Sequence, residues 1–355
     1  MTGARFHPLT VARIEPLTDE AVAITFDVPP ELDHEFRWRP GQHVTVRATI
    51  DGEDVRRSYS ICADPATGPL RIGVKRLDGG VFSTYATKEL QVGDVLEVGP
   101  PVGEFVLDPD PSRAAHYGAV AAGSGITPIL SMVTSVLRHE PESRFTLLFG
   151  NRDGRSIMFL EELEGLKDRY PDRFQLVHVL SREPSVIPLF SGRIDAEKLR
   201  ALLATIVDPS IDEWFLCGPY EMVEDARSVL EATGLPADRI HDELFFAAPL
   251  PERAPEPVAV GEGVPVTFTL DGRTATVMVP KDGAPIIDYV AQVRPDVPWS
   301  CRAGMCMTCR AKVVEGSARL DRNFALTPEE LEQGYVLTCQ AHPVSDAVEL
   351  SYDEA

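Results

Sequence analysis

Four cysteines define the first chemistry this chain can do. Cys301, Cys306 and Cys309 lie in one short run, CRAGMCMTC, and Cys339 follows well downstream. Gaps of four residues, then two, then a distant fourth thiol suit a 2Fe–2S cluster. Three thiolates converge from a single loop, and the fourth reaches the core from elsewhere in the fold. Gly304 lets the loop curl, because glycine tolerates backbone angles that other residues avoid. The curl turns amide N–H groups toward the sulfurs, and such hydrogen bonds tune a metal centre. Zinc sites favour paired short spacings, and disulfides belong to oxidising compartments. The run fits neither as well as it fits a cluster, so Cys301, Cys306, Cys309 and Cys339 are the expected ligands.

A second set of residues could hold nucleotides. Ala122-Gly123-Ser124-Gly125-Ile126-Thr127-Pro128 joins a predicted strand to a predicted helix. Gly123 and Gly125 let a phosphate approach the backbone, and a helix N-terminus offers unpaired N–H groups. Thr127 is the expected helix cap and Pro128 the expected first helical residue. Pro128 stands where a Rossmann triplet has its third glycine, so the turn is not that fingerprint. Cys217-Gly218-Pro219 marks another strand end that opens a helix. Both turns fall at the carboxyl edge of one sheet, where ligands bind in such folds. Cys217 reads as packing before chemistry, since nothing in the sequence activates it. Arg57-Ser58-Tyr59-Ser60 offers an arginine for a pyrophosphate and a tyrosine for stacking on a flavin. As a bare tetrapeptide it is equally an exposed strand. It gains meaning from Gly79-Gly80-Val81-Phe82-Ser83 and the nucleotide-type segment behind it.

The elements that must position these residues fall into a multidomain plan. Residues 1–112 read as short alternating strands (11–14, 21–26, 43–47 and 70–74) with turns at Pro40-Gly41, Asp51-Gly52 and Gly79-Gly80, which predicts a small antiparallel β-barrel. Residues 113–246 alternate strand and helix, the pattern of a parallel doubly wound α/β sheet. Strands are expected near 118–122, 145–149, 174–180 and 213–217, and helices from about 128, 159, 196 and 220. Residues 247–263 hold Pro249, Pro251, Pro255 and Pro257 and read as a semi-rigid spacer. Residues 264–355 open with two strands around Asp271-Gly272, a strong hairpin signal, then a helix begun by Pro285, then the cysteine loop.

Composition excludes several functions. The 355 residues carry 34 basic and 55 acidic side chains, a net charge of −21. Nucleic-acid binding needs a basic footprint, and an anionic membrane surface would repel this chain. From Val264 onward there are 8 basic and 13 acidic side chains, a net −5. That charge suits docking on a basic partner surface and equally suits plain solubility. The N-terminus has no apolar signal core and no run approaches a membrane span. The expectation is a cytoplasmic protein.

Taken in order, Arg57-x-Tyr59-Ser60, Gly80-x-x-Ser83, the Gly123 to Pro128 turn and Cys217-Gly218-Pro219 resemble ferredoxin–NADP reductase-like flavoproteins, here with a C-terminal plant-type ferredoxin domain. With the tail, the resemblance covers all but the spacer. It implies FAD as the flavin and a β-grasp fold for the α+β tail. It also implies residue roles. Arg57 binds the flavin pyrophosphate, Tyr59 stacks on the isoalloxazine, and Ser60 lies near its reactive nitrogen. Lys75, Gly80, Val81 and Ser83 line the FAD diphosphate, and Val74 also belongs to the FAD site. Gly123, Gly125, Thr127 and Pro128 take the nicotinamide nucleotide, with Cys217, Gly218 and Pro219 near its ring. Glu243 and Phe245 cover the flavin. On this reading Tyr59, Ser60, Cys217 and Glu243 surround the reacting atoms.

A narrower resemblance rests on Arg56-Arg57-Ser58-Tyr59-Ser60-Ile61-Cys62, Leu148-Phe149-Gly150-Asn151-Arg152 and Gly334-Tyr335-Val336-Leu337-Thr338-Cys339-Gln340. These are similar to the reductase subunits of phenylacetyl-CoA epoxidases. That resemblance implies a diiron oxygenase acting on phenylacetyl-CoA as the partner, in phenylacetate degradation. Reductases of steroid and aromatic-ring hydroxylating oxygenases share the same domain order and are the alternative. A redox sensor or passive carrier is a third reading, opposed by the flavin and nucleotide motifs. Arg152 and Arg155 follow the second strand of the nucleotide segment, and Arg182 follows the third. Arginines there suit the 2′-phosphate of NADPH, which they grip in a bidentate way; NADH is the alternative.

Overall fold

A computed structural model describes residues 6–246 and 263–354. The expected spacer, 247–263, lies outside the described residues except for Gly263. The chain forms two compact units, one of residues 8–55 and 59–246, the other built on the C-terminal residues.

The first unit opens with an antiparallel sheet. Its strands are β1 (His7–Thr18), β2 (Ala21–Asp27), β3 (His43–Ile50), β4 (Glu53–Ser60), β5 (Arg71–Lys75) and, after helix α1 (Val81–Lys88), β6 (Val95–Val98). They lie in the order β4-β3-β6-β1-β2-β5. A bridge between Ile61 and Ile72 joins the chain just past β4 to β5, the other edge strand, and so curls the sheet into a barrel. Alternation drives it: in β1, Leu9 and Val11 are buried while Pro8 and Thr10 are exposed, as a period of two requires. Two elements, β6 and α1, are not foreshadowed by the sequence pattern. β6 has four residues, too few for a periodic signal. α1 is anchored by Phe82 and Ala86 in the barrel core, which is a tertiary effect.

The same unit continues as β7 (His116–Ala122), α2 (Ile126–His139), β8 (Arg144–Asn151), α3 (Leu160–Arg169), β9 (Phe174–Leu180), α4 (Ala196–Thr205), β10 (Glu213–Pro219), α5 (Tyr220–Ala232) and β11 (Ile240–Phe246). The five strands are parallel, in the order β11-β10-β7-β8-β9. Helices α2 and α3 pack on one face, with Ile129, Met132 and Leu163 against Tyr117, Ala119 and Phe149. Helices α4 and α5 cover the other, with Leu199, Leu202 and Val223 against Val120, Leu148 and Leu216. Burial on both faces explains the near-continuous apolar runs of β7 and β8. The barrel shares the first core through Ala21, Ala23, Cys62 and Phe105.

One local expectation is corrected. Helix α2 starts at Ile126 with Gly125 at its N-cap, so Thr127 is not the cap and Pro128 is the third helical residue. A single 3₁₀ turn over Gly123–Gly125 feeds directly into the helix, and the Thr127 hydroxyl turns back to the Ser124 carbonyl at 3.0 Å. Pro128 still sits in the first turn, where its missing N–H removes no helical bond.

The second unit is an α+β fold. β12 (Val264–Leu270) and β13 (Arg273–Val279) form the expected hairpin. Asp271 and Gly272 have φ of 53° and 66°, the pair of positive angles a type I′ turn requires. Helix α6 (Ile286–Val293) follows, then β14 (Arg310–Glu315), β15 (Ala318–Leu320), the short α7 (Pro328–Glu332), β16 (Tyr335–Leu337), β17 (Ala341–Pro343) and β18 (Val348–Ser351). The main sheet has the order β13-β12-β18-β14-β16, with β12 and β18 parallel. Ile286, Ile287 and Val290 of α6 pack on it.

Candidate functional site

Two sites emerge, one in each unit. In the first, strand order reverses between β7 and β10, the switch point at which a doubly wound sheet opens a crevice. The Gly123 turn follows β7 and the Gly218 turn ends β10. They interlock: a methyl added to Gly125 would lie 2.1 Å from the Cys217 carbonyl oxygen. No side chain larger than hydrogen fits there.

Strand β11 runs beside β10 and pairs Glu243 with Cys217. The barrel reaches the same place. Ser60, at the end of β4, donates its hydroxyl to Glu243 Oε2 at 3.2 Å. His43, at the start of β3, brings Nδ1 to 3.5 Å from Glu243 Oε1. One carboxylate is therefore held by two barrel strands and backed by the parallel sheet. Burial, then the charge of Glu243, push the Cys217 thiol well above its ordinary pKa, so it stays a neutral packing group and not a nucleophile.

His43 is a site residue that sequence reasoning missed. Nothing local marks it, because its partner Glu243 is remote in the chain. The buried His43 Nε2 has no hydrogen-bond partner among the described residues, an expensive arrangement that calls for a reason. Gly103 lies flat against the ring; a methyl there would sit 3.0 Å from Nδ1.

The expected flavin residues occupy the barrel edge. Arg57 is exposed and Tyr59 half-buried, with the Tyr59 ring 5.4 Å from Phe82 and tilted by 38°. Ser83 Oγ accepts from the Leu77 N–H at 3.1 Å and donates to the Gly80 carbonyl at 3.2 Å. It thus ties the glycine turn to α1. Gly80 caps α1 without a side chain, which leaves first-turn N–H groups open to an anion. Val81 is exposed, Phe245 half-buried, and Val74 fully buried in the barrel core. An arginine, an aromatic face and an open helix end fit a flavin nucleotide. Lys75 is placed differently from its neighbours: its amine lies 3.5 Å from where a Gly123 Cβ would stand. It faces the Gly123 turn. Burial, and then the charge of Arg152, lower its pKa.

The nucleotide-side arginines do not behave alike. Arg152 ion-pairs with Glu20 of the barrel. Arg155 and Arg182 are exposed.

In the second unit the cysteine loop carries positive φ at Arg302, Gly304 and Met307 (52°, 76° and 55°). This folds the chain around the thiols. Phe324 N–H bonds to the Gly304 carbonyl at 3.1 Å, and the Gln340 amide donates to the Arg302 carbonyl at 2.8 Å. Thr338 fixes the far side through the Cys309 carbonyl at 2.9 Å. The strongest influence on the Cys301 thiol is Cys306, and on the Cys309 thiol it is Cys339. The Cys306 contact, with N–H groups of Ala303, Met305 and Cys306, lowers Cys301 to about 5. Cys306 and Cys309 are pushed up, first by their partner thiols and then by burial. Two pairs fit two irons, each held by two thiolates.

Comparison with known proteins identifies the domains that carry these residues. Residues 8–107 match the oxidoreductase FAD-binding domain, 119–228 the oxidoreductase NAD-binding domain and 268–344 the 2Fe-2S iron-sulfur cluster binding domain. The chain is 43% identical to a subunit of the 1,2-phenylacetyl-CoA epoxidase of Escherichia coli (strain K12), over 98% of this chain and 98% of that protein. It is 33% identical to the ferredoxin reductase component of 3-ketosteroid-9-alpha-monooxygenase of Rhodococcus rhodochrous, over 99% and 98%. Among solved structures, phthalate dioxygenase reductase has the same fold, with a TM-score of 0.61, 23% identity and 98% coverage of each chain. Among the described residues no helix is long and apolar enough to cross a membrane. The chain belongs to the family of oxygenase reductase components that join FAD-binding, NAD-binding and 2Fe–2S cluster-binding domains in one polypeptide.

Proposed function

We propose that this reductase draws electrons from NADPH and delivers them to a diiron oxygenase that epoxidises the ring of phenylacetyl-CoA. The similarity over nearly the full length to a component of the Escherichia coli epoxidase carries the substrate assignment. The FAD and the 2Fe–2S cluster supply the redox chemistry, taking electrons in pairs and passing them on singly. The protein supplies position and electrostatics. Ser60 and Glu243 would offer hydrogen-bonding groups to a bound flavin, and buried, neutral Cys217 would line the place where the nicotinamide enters. Lys75 serves the phosphates that enter at the Gly123 turn. Arg57, Tyr59 and the N-terminus of α1 would hold the FAD, and the four cysteines would hold the cluster. Domain limits are drawn at 112/113, 246/247 and 263/264. A reducing cytoplasm, where thiols do not pair into disulfides, suits a cluster held by four cysteines.

A second reading has support of its own. The steroid monooxygenase reductase matches over the same span, so a steroid oxygenase is the alternative partner. NADPH oxidation by the purified protein, with an epoxidase oxygenase component and phenylacetyl-CoA added in turn, separates the two. A rise only when all are present supports the proposal. No rise, with artificial acceptors still reduced, discards phenylacetyl-CoA.

A further inference from the structure

We propose that Glu20, a barrel residue, sets how strongly this chain favours a dinucleotide carrying a 2′-phosphate, by occupying Arg152. The inference rests on the NADPH reading above and deepens it. Arg152 stands at the end of β8, next to the strand that ends in the Gly123 turn. The ends of such strands are where an adenosine ribose is recognised, by a carboxylate for a free 2′-hydroxyl or by an arginine for a 2′-phosphate. Here both groups are present, and they hold each other. The Glu20 carboxylate pairs with Arg152 through Oε2 and lies 3.9 Å from Arg76 through Oε1.

Glu20 is well placed to do this. It sits in the tight turn between β1 and β2. The Thr18 hydroxyl accepts its N–H at 3.1 Å, and its carbonyl accepts the Arg76 N–H at 2.7 Å. The hydrogen bond from Arg152 holds its carboxyl below the usual range, and the nearby charges of Arg152, Arg76 and Lys75 add to this against partial burial. One anion thus faces three cations beside the nucleotide turn. The Arg182 N–H bonds to the Arg152 carbonyl at 2.7 Å, so the two arginines lie on adjacent strand ends. Only Arg152 is neutralised; among the described residues Arg155 and Arg182 have no ion-pair partner. The Glu20–Arg152 pair is 37% and 40% exposed, so a competing phosphate can displace it at little cost.

Glu20→Gln removes the competing charge and keeps the shape. The FAD-loaded protein is titrated calorimetrically with 5′-AMP and with 2′,5′-adenosine bisphosphate, two probes that differ only in the 2′-phosphate. The substitution is expected to tighten the bisphosphate about fivefold, the size of a partly exposed ion pair, and to leave 5′-AMP within about twofold. In an Arg152→Gln background the same substitution should change neither. Equal tightening of both probes, no change in either, or the same gain without Arg152 would each overturn the proposal. The unsubstituted protein tests the underlying reading separately. If it shows no preference for the bisphosphate, and kcat/KM favours NADH, the NADPH assignment falls. A wild-type preference that Glu20→Gln leaves untouched removes only the role of Glu20.

Discussion

The two redox sites of this chain are built in opposite ways. The cluster site is nearly local: three thiols share one loop and the fourth enters on a short strand connection. The proposed flavin–nicotinamide site is assembled from a distance. Glu243 on the last strand of the parallel sheet meets Ser60 and His43 of the barrel, and Gly125 meets Cys217 across the sheet. A local site depends on loop backbone geometry and is visible as spacing. A distributed site depends on how the barrel packs on the sheet and is visible only as geometry.

Damage should therefore separate cleanly. Cys306→Ser removes one of two thiolates on an iron and should abolish electron delivery to the oxygenase, by about a hundredfold or more, a loss at or beyond what even supporting groups around a metal cause. The cluster's visible absorbance should disappear while NADPH-dependent reduction of an artificial acceptor survives. Loss of both activities would show that the two sites are not independent.

Glu243→Gln tests the distributed site. It keeps the size of the side chain but removes the charge that Ser60 and His43 address. Flavin reduction by NADPH in rapid mixing should slow by about ten- to a hundredfold, toward the lower range for loss of a positioned acid–base group. The cluster spectrum should be unchanged. A normal rate would mean that the Ser60–Glu243 contact is structural only.

The smallest expected effect concerns the fit of the barrel against the sheet. Asp64 leaves the barrel to meet α2, where Arg138 approaches at 2.8 Å and His139 at 3.1 Å. Burial alone would raise the Asp64 carboxyl, but the Ala66 N–H, His139, Thr67 and Arg138 outweigh it and hold it below the ordinary value. A carboxylate with a lowered folded pKa adds stability above its unfolded value of about 4, and that contribution fades as pH falls toward the folded value. Asp64→Asn should thus cost about 1–3 kcal/mol at pH 7, read from urea unfolding. The gap from the parent should narrow in acid. A constant gap across pH would assign the loss to packing and not to charge.

The sequence by itself determined the spacing of the four candidate cluster cysteines, the hairpin at Asp271-Gly272, the alternating strand and helix of the nucleotide segment and the glycine turns. Each is written in spacing or period, because backbone angles, hydrogen-bond ladders and one-loop ligation are short-range constraints. Only the tertiary structure decided the rest. It turned Lys75 toward the Gly123 turn, tied Arg152 to Glu20 and brought His43 to Glu243. These placements follow from packing the barrel and the parallel sheet on one shared apolar core. The contacts that result join residues whose separation along the chain leaves no periodic trace.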